Sequence, residues 1–165
     1  MSGVAGAHLE WVLETEIAEH LAANSWLYSP TDAGYDRALA LFPEDVLGWI
    51  EDTQPVEYAK VVRPDDSELR QEAAKALLLS RLAKALDNDP FKNGGTLQVL
   101  RGGLSVVPQT GGTVKVRMAQ FRPATSINPD TLQAYARMRL RVMRQVHYSA
   151  KHPHKALDLV FFVNG

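Results

Sequence analysis

The apolar positions follow a helical period up to about residue 90 and a strand-like period after about residue 96. Leu9, Leu13, Ile17 and Leu21 recur every four residues, with Glu10, Glu14, Glu16 and Glu19 between them, which predicts a helix over 8–23 with one packing stripe and one acidic face. Residues 24–33 carry Asn, Ser, Pro, Asp and Gly punctuation and read as a loop, with Trp26, Leu27 and Tyr28 covering the edge of the core. Pro43 followed by Glu44 and Asp45 suits the first turn of a short helix reaching Ile50, and Pro55 breaks the pattern. The clearest element starts at an Asp66 or Ser67 cap. Leu69, Ala73, Ala76, Leu77, Leu78, Leu82 and Leu86 then give it a broad apolar face to Asp87.

Residues 96–101 predict a short strand, ended by Gly102-Gly103. Residues 113–121 predict a second strand, in which valines, Met118 and Phe121 alternate with Lys115, Arg117 and Gln120. Pro129-Asp130 opens a short helix through Ala136. Residues 139–148 form a strand with one wet face, whose period slips once around Met143. The nearly continuous apolar run Ala156–Val163 predicts a central strand covered on both faces. Asn164-Gly165 is a strong signal for a two-residue hairpin turn, which calls for a returning strand; the expectation is a single, incomplete domain over 1–165. An apolar strand left at the edge in this way invites pairing with a second copy of the chain.

Composition narrows the chemistry. The chain has 18 Lys and Arg against 19 Asp and Glu, a net charge of −1, so any nucleic-acid contact must come from a local patch. With no cysteine there is no disulfide scaffold, thiol nucleophile or cysteine-ligated metal. No stretch is long and apolar enough for a membrane span, and the first residues lack the pattern of an export signal, so the expected location is cytoplasmic.

Asp158 is the sharpest candidate, because a carboxylate inside a buried strand is costly unless paired or metal-bound; near the strand's start it could equally face solvent. Beside a second carboxylate and a lysine, such a residue can hold Mg²⁺ for phosphodiester hydrolysis. Glu14 lies close to the apolar stripe of the first helix and could turn toward a sheet site, or belong to a solvated face. His152-Pro153-His154 has the look of a metal pair, without a third ligand at useful spacing. Arg137, Arg139, Arg141, Arg144, Gln145, His147 and Lys151 form a basic and polar run with few interruptions. On a strand, 137, 139 and 141 share a face, giving either a phosphate-facing stripe or a solubilising edge. No P-loop, dinucleotide fingerprint or nucleophile elbow is present.

Several pieces in order resemble the N-terminal nuclease region of the restriction (R) subunit of type I restriction-modification enzymes. They are Leu13-Glu14 with Ile17 and Leu21, then Ser25-Trp26; Thr53-Gln54-Pro55; Leu97 to Gly102; Met118 to Pro123; Val142 to Tyr148; and Leu157 to Gly165. The resemblance implies an α/β fold with a mixed sheet flanked by helices, like the PD-(D/E)xK restriction-endonuclease core, lacking its later strands. It implies that Asp158 binds a catalytic Mg²⁺ assisted by Glu14, that the substrate is duplex DNA, and that modification and specificity subunits are partners. The family's Glu-x-Lys tripeptide belongs to the strand after the Asn-Gly turn and has no counterpart among these residues; ATP is used only by a translocase region that this length does not contain. The isolated chain is therefore expected to be a poor nuclease. The competing expectation is a non-catalytic DNA-binding or subunit-assembly module with a nuclease-like fold.

Overall fold

A computed structural model describes residues 3–89, 94–148, 152 and 154–165. The described elements run α1 (Gly3–Ala23), β1 (Leu27–Ser29), α2 (Pro43–Thr53), α3 (Pro55–Val61), α4 (Glu68–Leu86), α5 (Gly95–Gly102), β2 (Leu104–Val106), β3 (Val114–Val116), α6 (Pro129–Ala136), β4 (Leu140–His147) and β5 (Ala156–Val163). They build a mixed α/β architecture. A three-stranded sheet in the order β1-β4-β5 has β1 parallel and β5 antiparallel to β4, and β2 and β3 form a separate antiparallel pair. No helix among the described residues is long and apolar enough to cross a membrane.

Helix boundaries follow local chemistry. Pro43 and Pro55 occupy the first turns of α2 and α3, where a missing N–H costs no intrahelical bond, so Pro55 ends one helix and starts the next. Asn128 caps α6, its Oδ1 accepting from the N–H groups of Asp130 at 3.0 Å and Thr131 at 3.3 Å. On α4, Leu78, Leu79 and Leu82 are buried, whereas Leu69 is 82% exposed and lies outside the packing face.

Two apolar clusters result. The larger joins α2, α3, α4, α5 and the β2–β3 pair through Trp49, Ile50, Leu78, Val99, Val106 and Val116. The smaller lies on the three-stranded sheet, where Phe42, Met143, Val146 and Phe162 pack with Tyr35 and Val160; the Phe42 and Phe162 rings meet edge to face at 4.9 Å.

Four expectations need correction. Residues 96–101 belong to helix α5, with Gly95 and Val99 buried four residues apart, because a short apolar run satisfies either period and Gly94, at φ 83°, starts a helix. The strand within 113–121 is confined to Val114–Val116. The loop at 24–33 includes β1, a strand too short to show a period. Finally, β5 is not central: β4 sits between β1 and β5, and Leu157, Phe161 and Val163 are exposed.

The chain's last two residues dock firmly. Asn164 and Gly165 have φ 58° and 88°, both positive as a type I′ turn requires. Asn164 is 1% exposed; its Oδ1 accepts from Arg139 N–H at 2.7 Å, its Nδ2 donates to Met118 O at 2.9 Å, and Gly165 O accepts from Phe42 N–H at 3.2 Å. A Cβ on Gly165 would run into Val46 and the Phe42 carbonyl, so glycine is required by close approach as well as by φ.

Candidate functional site

The carboxyl ends of the parallel strands β1 and β4 and the amino end of β5 meet at one end of the sheet, since Ser29 pairs with Met143 and His147 with Ala156. Crevices at strand carboxyl ends are recurrent ligand sites in α/β sheets. Asp158 lies here.

The β4–β5 ladder is paired from Leu140↔Val163 to His147↔Ala156 except at one step, the one where Gln145 and Asp158 stand opposite each other. Gln145 has φ 50°, which interrupts the pleat. Strict alternation would put Met143 and Val146 on opposite faces, yet both enter the same apolar cluster, so the slip seen in the sequence is this backbone irregularity. Distortions of this kind are common beside functional sites. Asp158 is exposed, and among the described residues it carries no ion pair. It thus takes the solvent-facing position and bears no burial cost.

Glu14 is 7% exposed on α1. Its Oε2 accepts from Arg144 Nη2 at 3.2 Å, Arg144 Nε at 3.4 Å and Gln145 Nε2 at 3.1 Å, and its Oε1 accepts from the same amide at 3.3 Å. The Arg144 guanidinium also lies 5.2 Å from the centroid of the Trp11 ring. These bonds neutralise a buried carboxylate and tie α1 to β4. They bring Glu14 to the strand step that faces Asp158, with Gln145 as the link.

The arginines do not line up as an open stripe. Arg137 is the C-cap of α6 rather than a strand residue, and it donates to the Asp52 carbonyl. Arg139 pairs with Asp52 at 2.9 Å and donates to Glu44 O at 3.0 Å, its guanidinium lying over Gly48, where any Cβ would obstruct it. Arg141 grips buried Asp45 with two bonds of 2.6 and 3.0 Å, donates to Ser29 Oγ at 2.6 Å and lies 4.4 Å from the Phe42 ring centroid. Helix α2 thus supplies the acids Asp52 and Asp45 to Arg139 and Arg141, and Arg137 stands outside β4, so the three do not share one strand face. Lys151 lies outside the described residues. His147 is half-buried, with Nδ1 enclosed and, among the described residues, without a hydrogen-bond partner. The exposed His152 and His154 rings stand 5.9 Å apart.

The donors do not close a divalent-cation site. Glu14 spends both oxygens on Arg144 and Gln145, which leaves Asp158 as the open carboxylate, and no group of three His, Asp or Glu side chains among the described residues is arranged for a metal. A hard cation takes six or more oxygens, of which one carboxylate supplies too few.

Asp45, Asp52 and Asn164 are partners of the basic run that the sequence pattern does not reveal. Nothing local in the sequence signals a pairing 87 or 96 residues away. Compared with protein-family models, curated proteins and solved structures, the chain matches none of them.

Proposed function

We propose that this chain is the N-terminal part of the nuclease domain of a type I restriction-enzyme R subunit, with a PD-(D/E)xK-like core, and that the complete protein hydrolyses duplex DNA with Mg²⁺. The observation that carries this reading is the unpaired Gln145/Asp158 step, where an exposed, uncompensated carboxylate stands opposite a residue that grips Glu14. The positive φ angles of Asn164 and Gly165 suit a hairpin turn, and the resemblance puts the remaining glutamate and the lysine on a strand beyond it. Those groups would complete the Mg²⁺ ligands that Asp158 begins. Within this chain, Asp158 offers the open anionic ligand, and Arg144 and Gln145 hold Glu14 in one orientation. ATP use and contacts with modification and specificity subunits belong, in this proposal, to the parent complex.

The test is Mg²⁺-dependent nicking of plasmid DNA by a longer protein that includes the strand after Gly165. Asp158→Asn is expected to lower the nicking rate at least ~100-fold, the scale on which losing a metal-site group acts. Because Asp158 is exposed, the melting temperature should not move. Undiminished nicking would remove Asp158 from the metal site. A second reading, a subunit-assembly module, draws on the exposed Leu157, Phe161 and Val163 along β5. Under that reading the chain self-associates in sedimentation, and Phe161→Lys makes it monomeric.

A further inference from the structure

A notch of about 240 Å³ opens beside the Gln145/Asp158 step, between the loop that follows β1 and the end of β4. Thr31, Asp32, Tyr35, Arg37, Gln145 and His147 are among its lining residues. Three observations give it a chemical character.

First, the Arg37 guanidinium is 44% exposed, and its ion-pair partner is Asp32, itself well exposed, at a loose 3.7 Å. A pair so open to water is held weakly, so the guanidinium fork remains competent to grip an incoming oxyanion. Second, His147 Nδ1 is enclosed and, among the described residues, has no hydrogen-bond partner. Buried N–H groups without acceptors are rarer than buried acceptors without donors, which favours the proton on Nε2. In that tautomer the ring carries its N–H donor at Nε2. Third, Arg144, the other cation at the notch, is already neutralised by Glu14, so the positive charge facing an anion comes from Arg37, opposed by Asp32.

We propose that this notch is a phosphate-binding subsite in which Arg37 and His147 Nε2–H donate to phosphate oxygens. It rests on the nuclease reading for its natural occupant, a DNA backbone phosphate next to the one presented to Asp158. Its position fits that occupant. Gln145 lines the notch and also bonds Glu14, so the subsite and the buried carboxylate beside the Asp158 step are fixed by the same two residues of β4, Arg144 and Gln145. Arg37 is the new functional residue; it lies far from the basic run in sequence and is brought to it by the loop from Pro30 to Arg37.

The experiment follows the ring resonances of His147 in the histidine-labelled 165-residue chain during titration with inorganic phosphate, then with a short DNA duplex at several salt concentrations. His147→Gln assigns the signal. We expect a saturable phosphate-dependent shift that weakens at least ~10-fold in Arg37→Gln, matching loss of a charge-assisted bond. That variant, at an exposed side chain, should keep the wild-type circular dichroism. The duplex should compete for the same signal, and Arg37→Gln should reduce the salt slope of its binding by about 1. Absence of a phosphate response at His147, or a response unaltered in Arg37→Gln, overturns the subsite, whatever the duplex does. A phosphate response without duplex binding upholds the subsite as a site for free phosphate and refutes DNA as its occupant. Duplex binding with no change at His147 leaves the DNA reading standing and rejects the notch.

Discussion

Replacing Arg141 tests whether the basic run is structural or DNA-facing. Its guanidinium makes two bonds to Asp45, which is 3% exposed, and one to Ser29, and it lies against Phe42. Arg141→Met keeps much of the side-chain volume and leaves the Asp45 carboxylate buried without its main partner. Breaking a buried ion pair by removing one member costs about 3–5 kcal/mol. Two features reduce that here: Arg139 Nη1 lies 4.0 Å from Asp45, and Asp45 occupies the first turn of α2, where a negative charge gains about 0.3–1 kcal/mol. The expected loss is therefore about 2–4 kcal/mol, read from urea unfolding followed by tryptophan fluorescence. The Asp45→Asn, Arg141→Met double variant removes the stranded charge and should recover a coupling of about 2 kcal/mol relative to the sum of the single changes. The salt slope of duplex binding should be unchanged, since a guanidinium already gripping a carboxylate releases no counterion from phosphate. If Arg141→Met costs under about 1 kcal/mol while the salt slope falls by about 1, the pairing with Asp45 is not what holds this arginine and the reasoning fails.

Other outcomes follow from the same physics. Asn164→Ala orphans the Arg139 N–H and the Met118 carbonyl, at about 1–3 kcal/mol each, and adds about 1 kcal/mol for a left-handed alanine. Asn164→Gly should recover only the backbone part, and equal stability of both variants with wild type in urea unfolding would refute the bonding role of Asn164. Glu14→Ala leaves the Arg144 charge and the Gln145 amide without their shared partner and should cost about 2 kcal/mol in thermal unfolding, against a smaller loss for Glu14→Gln. Burial, with a smaller contribution from Glu51, raises the Tyr58 hydroxyl above its ordinary 10.0. The neutral phenol is favoured in the fold, so this stability is complete below pH 10 and is lost as pH rises through the folded value. Tyr58→Phe should flatten the stability profile above pH 10, and an identical alkaline slope in the variant would contradict the assignment.

Much of the helical half was legible because its signals are local. Pro43, Ser67 and Pro129 mark helix starts that the structure reproduces, Pro55 reads as a break yet opens α3, and the period slip near Met143 is the positive-φ Gln145. What failed depended on distant partners. A three-residue strand such as β1 has no period of its own and exists because β4 offers it a parallel edge. Residues 96–101 fit two periods, and packing against α4 and β2–β3 selects the helix through Val99. The apolar run of β5 was read as central because its composition resembles a buried strand, but composition does not say on which side a neighbour lies. Likewise, Arg139, Arg141 and Arg144 read as a basic run in sequence, but in space each is paired, with Asp52 and Asp45 of α2 and Glu14 of α1.

This separation of charge in sequence from charge in space bears on how the site should be probed. Glu14, Arg139, Arg141 and Arg144 all carry fold stability through their pairs, so a loss of DNA binding or cleavage on their removal would mix unfolding with chemistry. Asp158 and Arg37 differ: both side chains are exposed, and the fold leans on neither through a buried pair. The interest of Asp158 lies in its exposure rather than in a cost of burial. An exposed carboxylate with no ion pair among the described residues, set at the one unpaired step of the ladder, gives a substitution whose effect on Mg²⁺-dependent cleavage reports on chemistry rather than on folding. Arg37 gives the matching probe for phosphate contact. Changed together, two such independent sites should combine additively in stability, while a shared phosphodiester substrate would make their effects on cleavage depart from additivity.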